Sequence, residues 1–274
     1  MKSKKVSGNK ELILDIAVLV DSLGNQRMAI ECYKRILLVD DREARAYYGI
    51  ATVYDGWKDY KSAISYYSKA IEIEPSYSRA WFFLANVLDE TGEKEKAVRA
   101  YKRVIEIAPD DFWAHNNLGV IYEEMNNNQE ALKCFKKALE IDPNHYKAHF
   151  NMGVIWSKLG YTEKAISAYQ NSIVQNNLYP YSFLNLAIIY KDRGEAEISI
   201  DVLSAGIKSN KNSSFLYYNR ACVYSGINCL DKSLVDLEAA VKLNPELLEF
   251  IVSDEELEPL RGLQGYEMLV SSCK

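Results

Sequence analysis

The chain has 274 residues, a formal net charge of −5 and a sequence pI near 5.4. That balance argues against a nucleic-acid partner, which selects a basic surface, and no apolar run approaches the ~20 residues of a membrane span. The five cysteines are odd in number and form no C-x-x-C pair, so they read as free thiols in a reducing cytoplasm, with no disulfide, metal or cofactor implied.

The chain opens on Lys2, Lys4 and Lys5, a short basic start that reads as a solvated tail over residues 1–9. No apolar stretch follows it, so no secretory leader is expected. From Lys10 the sequence repeats with a period of 34, seven times without insertion or deletion. The units are 10–43, 44–77, 78–111, 112–145, 146–179, 180–213 and 214–247. One small residue recurs in register at Ala29, Ala63, Ala97, Ala131, Ala165, Ser199 and Ser233. A large apolar residue follows four positions later at Tyr33, Tyr67, Tyr101, Phe135, Tyr169, Leu203 and Leu237.

Each unit reads as two helices. In the third, Trp81, Leu84, Ala85 and Leu88 follow the i, i+3, i+4, i+7 stripe of an amphipathic helix. Gly92 then stands where a left-handed cap would end it. The same slot holds Gly24, Gly160, Gly194, Asn126 and Asn228, residues that tolerate positive φ; Lys58 is the exception. Ala97, Tyr101 and Val104 mark the second helix, and Pro109 forces the next turn.

A fixed period of this length is the signature of a stacked helical solenoid. The residues resemble the tetratricopeptide repeat (TPR) pattern: a bulky residue at position 4, Leu at 7, Gly or Ala at 8, an aromatic at 11, Ala at 20, an aromatic at 24, Ala at 27 and Pro at 32. The fourth unit carries His115, Leu118, Gly119, Tyr122, Ala131, Phe135, Ala138 and Pro143 in those places. The resemblance covers residues 10–247 and implies an all-α, right-handed superhelical solenoid of seven helix pairs. Residues 248–274 are expected to cap its end. Ser253 with Glu256 reads as an S-x-x-E capping box, and Leu257, Leu260, Leu263, Tyr266 and Leu269 can lie over the seventh unit. Segment 255–263 is similar to terminal segments of bacterial TPR proteins. The Lys-, Asn- and Ile-rich composition is what an AT-rich bacterial genome encodes.

In TPR proteins the first helix of each unit lines the concave groove, where positions 2, 5, 6, 9, 12 and 13 share one side. Position 6 is asparagine at Asn117, Asn151, Asn185 and Asn219. A ladder of amides can pair with the backbone of an extended peptide, similar to the ladder in O-linked GlcNAc transferase; the alternative is that these residues only solvate the face. Phe82 and Phe150 at position 5, with Trp113 and Tyr181 at position 2, flank the ladder as anchors or as core. Asn86, Arg79 and Lys147 complete the candidate peptide site.

The rim is acidic early, at Asp21, Asp55, Asp89, Glu90, Glu123 and Glu124, and changes to Lys158 and Lys191 later. An acidic half would steer a basic segment, or be a solvated face partly neutralised by arginine. A chaperone-type carboxylate clamp is not expected, because Phe82 and Asn151 stand where that clamp needs cations. Arg220 and Asp236 depart from the pattern in the same unit and read as an ion pair within it. His115 and His149 occupy a packing position and His145 a linker, so none is expected to be catalytic or a metal ligand.

The function expected is a non-catalytic, cytoplasmic protein-interaction adaptor. It would hold an extended peptide or partner segment in its groove, and would be monomeric or weakly self-associating. The alternatives are a peptide-responsive regulator and a non-catalytic subunit of a protein-modifying enzyme. No DNA-binding domain fits in the nine residues before the first unit.

Overall fold

The computed structural model describes residues 2–271. They form two compact units, one ending at Ile141 and one beginning at Asp142. Among the described residues there is no strand.

The first unit is four helix pairs: α1 (Lys2–Ser22) with α2 (Gln26–Val39), α3 (Ala44–Gly56) with α4 (Tyr60–Ile73), α5 (Ser78–Glu90) with α6 (Lys94–Ile107), and α7 (Phe112–Glu124) with α8 (Asn128–Ile141). The backbone is already helical at Lys2, where a tail through residue 9 was expected. Segment 2–9 contains no proline, so nothing in it forbids the helix from extending backward. The second unit is three pairs: α9 (Tyr146–Lys158) with α10 (Thr162–Gln175), α11 (Pro180–Asp192) with α12 (Ala196–Ser209), and α13 (Ser214–Gly226) with α14 (Leu230–Leu243). It closes with α15 (Leu247–Ser253), a 3-10 turn (Glu255–Leu260) and α16 (Gln264–Ser271).

The turn inside each pair is one repeated device. Position 15 is left-handed in all seven, from Gly24 at φ 83° to Asn228 at φ 61°, with Lys58 at φ 59°. The next N–H reaches back to the carbonyl at position 11, as in Glu93 N to Leu88 O at 2.8 Å and Asn127 N to Tyr122 O at 2.7 Å. This is the hydrogen bonding of a Schellman cap, which satisfies the orphan carbonyls of the first helix.

The core follows the period. The ring or side chain at position 24 is 4% exposed or less in every repeat, and burying each contributes about 2–3 kcal/mol. The alanines at position 20 are fully buried. Where serine replaces them, the hydroxyl donates to a first-helix carbonyl: Ser199 Oγ to Ala187 O at 2.8 Å, and Ser233 Oγ to Ala221 O at 2.7 Å. Position 4 is a second recurring lock on the proline turn. Trp81 Nε1 donates to Pro75 O at 3.0 Å, His115 Nε2 to Pro109 O at 2.9 Å and His149 Nε2 to Pro143 O at 2.8 Å. His115 and His149 are therefore structural donors.

In the second unit Arg220 and Asp236 form a two-bonded pair, Nε to Oδ2 at 2.7 Å and Nη2 to Oδ1 at 2.8 Å. Arg220 Nη1 also donates to Ser204 Oγ at 2.8 Å. The terminal segment packs on α13 and α14: Leu257 and Leu260 are fully buried with Leu237, Ile251 and Tyr266 in one cluster, and Leu263 and Leu269 lie at its edge. The expected Ser253–Glu256 box is not made. Ser253 ends α15 and its hydroxyl turns back to Glu249 O at 3.1 Å, while Asp254 caps the 3-10 turn by accepting from Glu256 N at 2.9 Å. Asp254 has the extended backbone a cap requires, one residue past the serine that the motif picked out.

Candidate binding face of the repeats

In the first unit two cavities open between successive first helices. One, of about 480 Å³, is bounded by Asp15, Asp21, Tyr48, Thr52 and Arg79, with Tyr33 behind them. The other, of about 420 Å³, is bounded by Asp55, Asn86, Asp89, Glu90, Asn117 and Val120. With the exception of Tyr33, these residues stand at positions 2, 5, 6, 9, 12 or 13 of their repeats, the side of the first helix expected to line the groove. Helical geometry alone places them together.

Asn86 and Asn117 meet on one hydroxyl. Tyr101 donates to Asn86 Oδ1, Asn117 Nδ2 donates to Tyr101 Oη at 3.1 Å, and Asn116 Nδ2 donates to Asn117 Oδ1 at 3.2 Å. The amide of one repeat is thus bonded to the core tyrosine of the repeat before it. Burial, the dominant cause, raises the Tyr101 hydroxyl pKa and keeps it a neutral donor. Phe82 packs edge-on against Phe83 and Tyr101, 5.6 Å from each, and acts as core more than as a free anchor. Trp113 is 49% exposed with an edge contact to Phe112, and Arg79 is exposed.

The acidic rim divides into paired and unpaired groups. Lys94 Nζ lies 2.5 Å from Asp89 and also bonds Glu124; these hydrogen bonds raise its pKa. Among the described residues Asp55 accepts only the Tyr67 hydroxyl, at 3.3 Å. Burial raises the pKa of Asp55, assisted by the nearby charge of Glu90 and offset by Tyr67; burial raises that of Asp21 as well.

In the second unit the ladder is also engaged. Asn185 Nδ2 donates to Tyr169 Oη at 3.4 Å, repeating the link to the preceding tyrosine, and Asn219 Nδ2 donates to Phe215 O at 2.8 Å. Asn151 is half-buried and Lys147 exposed. Phe150, Tyr179, Tyr181 and Phe215 make a run of rings with centroids 5.1–5.4 Å apart. Tyr181, 48% exposed, is its most open member. Asn117 and Asn185 thus tie each repeat to the one before it, while Asn219 bonds within its own helix.

Models of the tetratricopeptide repeat match residues 14–78, 58–118, 112–145, 134–167 and 216–247, leaving only 168–215 uncovered between them. The chain belongs to the tetratricopeptide repeat family. A model of anaphase-promoting complex subunit 5 matches residues 169–225. No curated protein gives a significant sequence match. Among solved structures, a TPR protein from Parabacteroides merdae is 16% identical with a TM-score of 0.66, covering 89% of this chain and 97% of that one. YrrB, described as a TPR protein with an unusual peptide-binding site, is 20% identical with a TM-score of 0.51 over 66% of this chain and 93% of that one. The Cut9–Hcn1 hetero-tetramer of the APC/C is 15% identical with a TM-score of 0.60, covering 93% of this chain and 47% of that one. At these identities the likeness is one of fold.

In the last TPR repeat the face is already occupied, by the chain itself. The Tyr218 hydroxyl donates to Asp254, Cys222 Sγ lies 3.7 Å from the same carboxylate, and Ser225 Oγ donates to Glu256 O at 2.8 Å. Lys191 Nζ bonds both Glu256 oxygens at 2.7 and 3.0 Å. Tyr218, Cys222 and Ser225 are positions 5, 9 and 12 of the seventh repeat, and Lys191 is position 12 of the sixth. Cys222, Asp254 and Glu256 bring a thiol and two carboxylates within 4.8 Å. Burial, the dominant cause, raises the Cys222 thiol pKa, and Lys191 already balances Glu256. The sequence places this segment over the seventh repeat, but nothing outside the period shows that Asp254 and Glu256 take up the first-helix face.

Proposed function

We propose that this TPR chain is a non-catalytic cytoplasmic adaptor that holds an extended segment of a protein partner against the first helices of its repeats. The observation that carries the reading is the pair of cavities in the first unit, lined by the repeat positions that face a TPR groove. The chain's own segment from Asp254 to Glu256, held through positions 5, 9 and 12 of the seventh repeat, supports it: the same face already takes up an acidic side chain and a backbone carbonyl from outside the repeats. Free thiols at Cys32, Cys134, Cys222 and Cys229 accord with a reducing compartment. Fold likeness does not name the partner.

The test is site-specific photo-crosslinking in the native lysate. A crosslinker at Thr52 or Val120, both lining a cavity, should capture a partner that one at Glu72 or Glu95 on the second helices does not. Capture from the second-helix sites alone would reject the reading.

A further inference from the structure

In the first unit the carboxylates on the first-helix face outnumber their cations. Asp15, Asp21, Asp55 and Glu90 make no ion pair among the described residues, whereas Asp89 is held by Lys94, and Glu11 holds Arg45. Arg45 is further tied to Glu43 at 2.8 Å, which leaves Arg79 at the rim of the first cavity as the opposing charge. Asp21 and Asp55 are half-buried, Asp15 and Glu90 exposed, and carboxylates without counter-ions gain from a cation brought to them.

A second observation is independent of charge. Tyr33 is only 4% exposed, lines the first cavity, and its hydroxyl has no hydrogen-bond partner among the described residues. The tyrosines in the same register one and two repeats on are satisfied: Tyr67 by Asp55, and Tyr101 by Asn86 and Asn117. Tyr67 is reached by Asp55 at position 12 of its own repeat, with Phe83 at position 6 of the next, whereas Tyr101 is reached by Asn86 and by position 6 of the next. Asn117 fills that slot beside Tyr101, but Gly49 fills it beside Tyr33, and the tyrosine ring sits so close that any Cβ would collide with it. The unpartnered hydroxyl therefore stands at the cavity wall, where it can take a hydrogen bond from a ligand.

We propose that the first unit binds a protein segment bearing lysine or arginine side chains. One cationic head group is seated by Asp21 and the Tyr33 hydroxyl, and a second, one repeat along, by Asp55 and Glu90. The Tyr33 oxygen accepts from the incoming N–H, and the carboxylates supply the counter-charge. This rests on reading the first-helix face as the partner-binding face, and it adds the chemistry of the ligand.

The experiment uses the full chain and a fluorescein-labelled Gly/Ser peptide with arginine at every third position, beside its glutamine and glutamate counterparts, read by anisotropy. The arginine peptide should bind at least about tenfold tighter than the glutamine one and lose affinity with salt. The variant Asp21→Asn, Asp55→Asn, Glu90→Gln should weaken it about tenfold or more. A control removing as much charge from second helices, Glu72→Gln, Glu95→Gln, Glu140→Gln, should leave it nearly intact. Tyr33→Phe should weaken it about fivefold, one hydrogen bond, while melting like wild type, because its hydroxyl bonds nothing in the fold. Equal binding of the glutamine peptide, equal loss in the control, or no binding by the arginine peptide would overturn the cationic inference. The groove reading would still be judged on the crosslinking sites above, which do not depend on ligand charge.

Discussion

Arg220→Ala should cost the second unit about 3 kcal/mol of stability. Asp236 is only 4% exposed, and its two oxygens are held by Arg220 at 2.7 and 2.8 Å. Removing one partner of such a pair strands a charge, typically about 3–5 kcal/mol. One feature holds the figure to the lower end: a neighbouring cavity of about 250 Å³, lined by Asp236 itself with Asp231 and Lys232, gives the stranded carboxylate access to water. The guanidinium also lies 5.9 and 5.8 Å from the Tyr217 and Tyr224 rings, contacts that go with it. Urea unfolding followed by circular dichroism reads the loss. Arg220→Leu with Asp236→Ala, the pair found at Leu84 and Ala100 in the third repeat, should recover most of it. A single variant within about 0.5 kcal/mol of wild type at pH 7, the range of an ordinary surface substitution, would refute the reasoning.

Lys58→Gly should raise stability by about 1 kcal/mol in a thermal melt, since Lys58 alone puts a long side chain at the left-handed cap, φ 59°; a lowered midpoint would count against the cap geometry. Glu43 is pulled down from 4.5 to about 2, because hydrogen bonds from Arg45 and Lys10 outweigh the upward push of burial. A lowered carboxyl stabilises above its unfolded pKa and loses that support as pH falls, here between about pH 4.5 and 2. The full shift corresponds to about 3 kcal/mol, and solvent at the Arg45 end reduces it to about 2. Glu43→Gln should be destabilised at pH 7 and converge on wild type near pH 2 in denaturant titrations; parallel curves would contradict this. Deleting residues 254–271 should uncover the cluster around Leu237 and Val241 and cause self-association in sedimentation, and a monomeric, equally stable product would show that the segment is no lid.

Much of the fold was legible because the chain states it repeatedly. One glycine at position 15 is weak evidence of a cap, but seven residues in phase made the turn readable even at Lys58, where the residue type argued against it. The face was legible for the same reason: helical spacing sorts positions 2, 5, 6, 9, 12 and 13 to one side, and the cavities of the first unit open there. The period could not show what each side chain bonds. Asn117 and Asn185 were read as facing a ligand, and both spend their N–H groups on tyrosines of the preceding repeat, Tyr101 and Tyr169. The sixteen-residue spacing between those partners was a usable signal. Asn151 and Asn219 follow Phe135 and Leu203, which have no hydroxyl to offer. Beyond residue 247 nothing repeats, so the placement of Asp254 and Glu256 on the seventh repeat left no trace in the pattern, and a local motif misplaced the cap by one residue.

The most direct test is calorimetric titration of the partner segment, recovered by crosslinking, against wild type and the variant with Asn117, Asn151, Asn185 and Asn219 all changed to alanine. Circular dichroism must first show the variant folded, since the Asn117 and Asn185 links each contribute about 1 kcal/mol to repeat coupling. The expected result is a loss of about 0.5–1.5 kcal/mol of binding per asparagine, similar for partners of different sequence, with Tyr181→Ala selective among them. Unchanged affinity in a folded variant would contradict the ladder's role and move the search for the partner to the second helices or the termini.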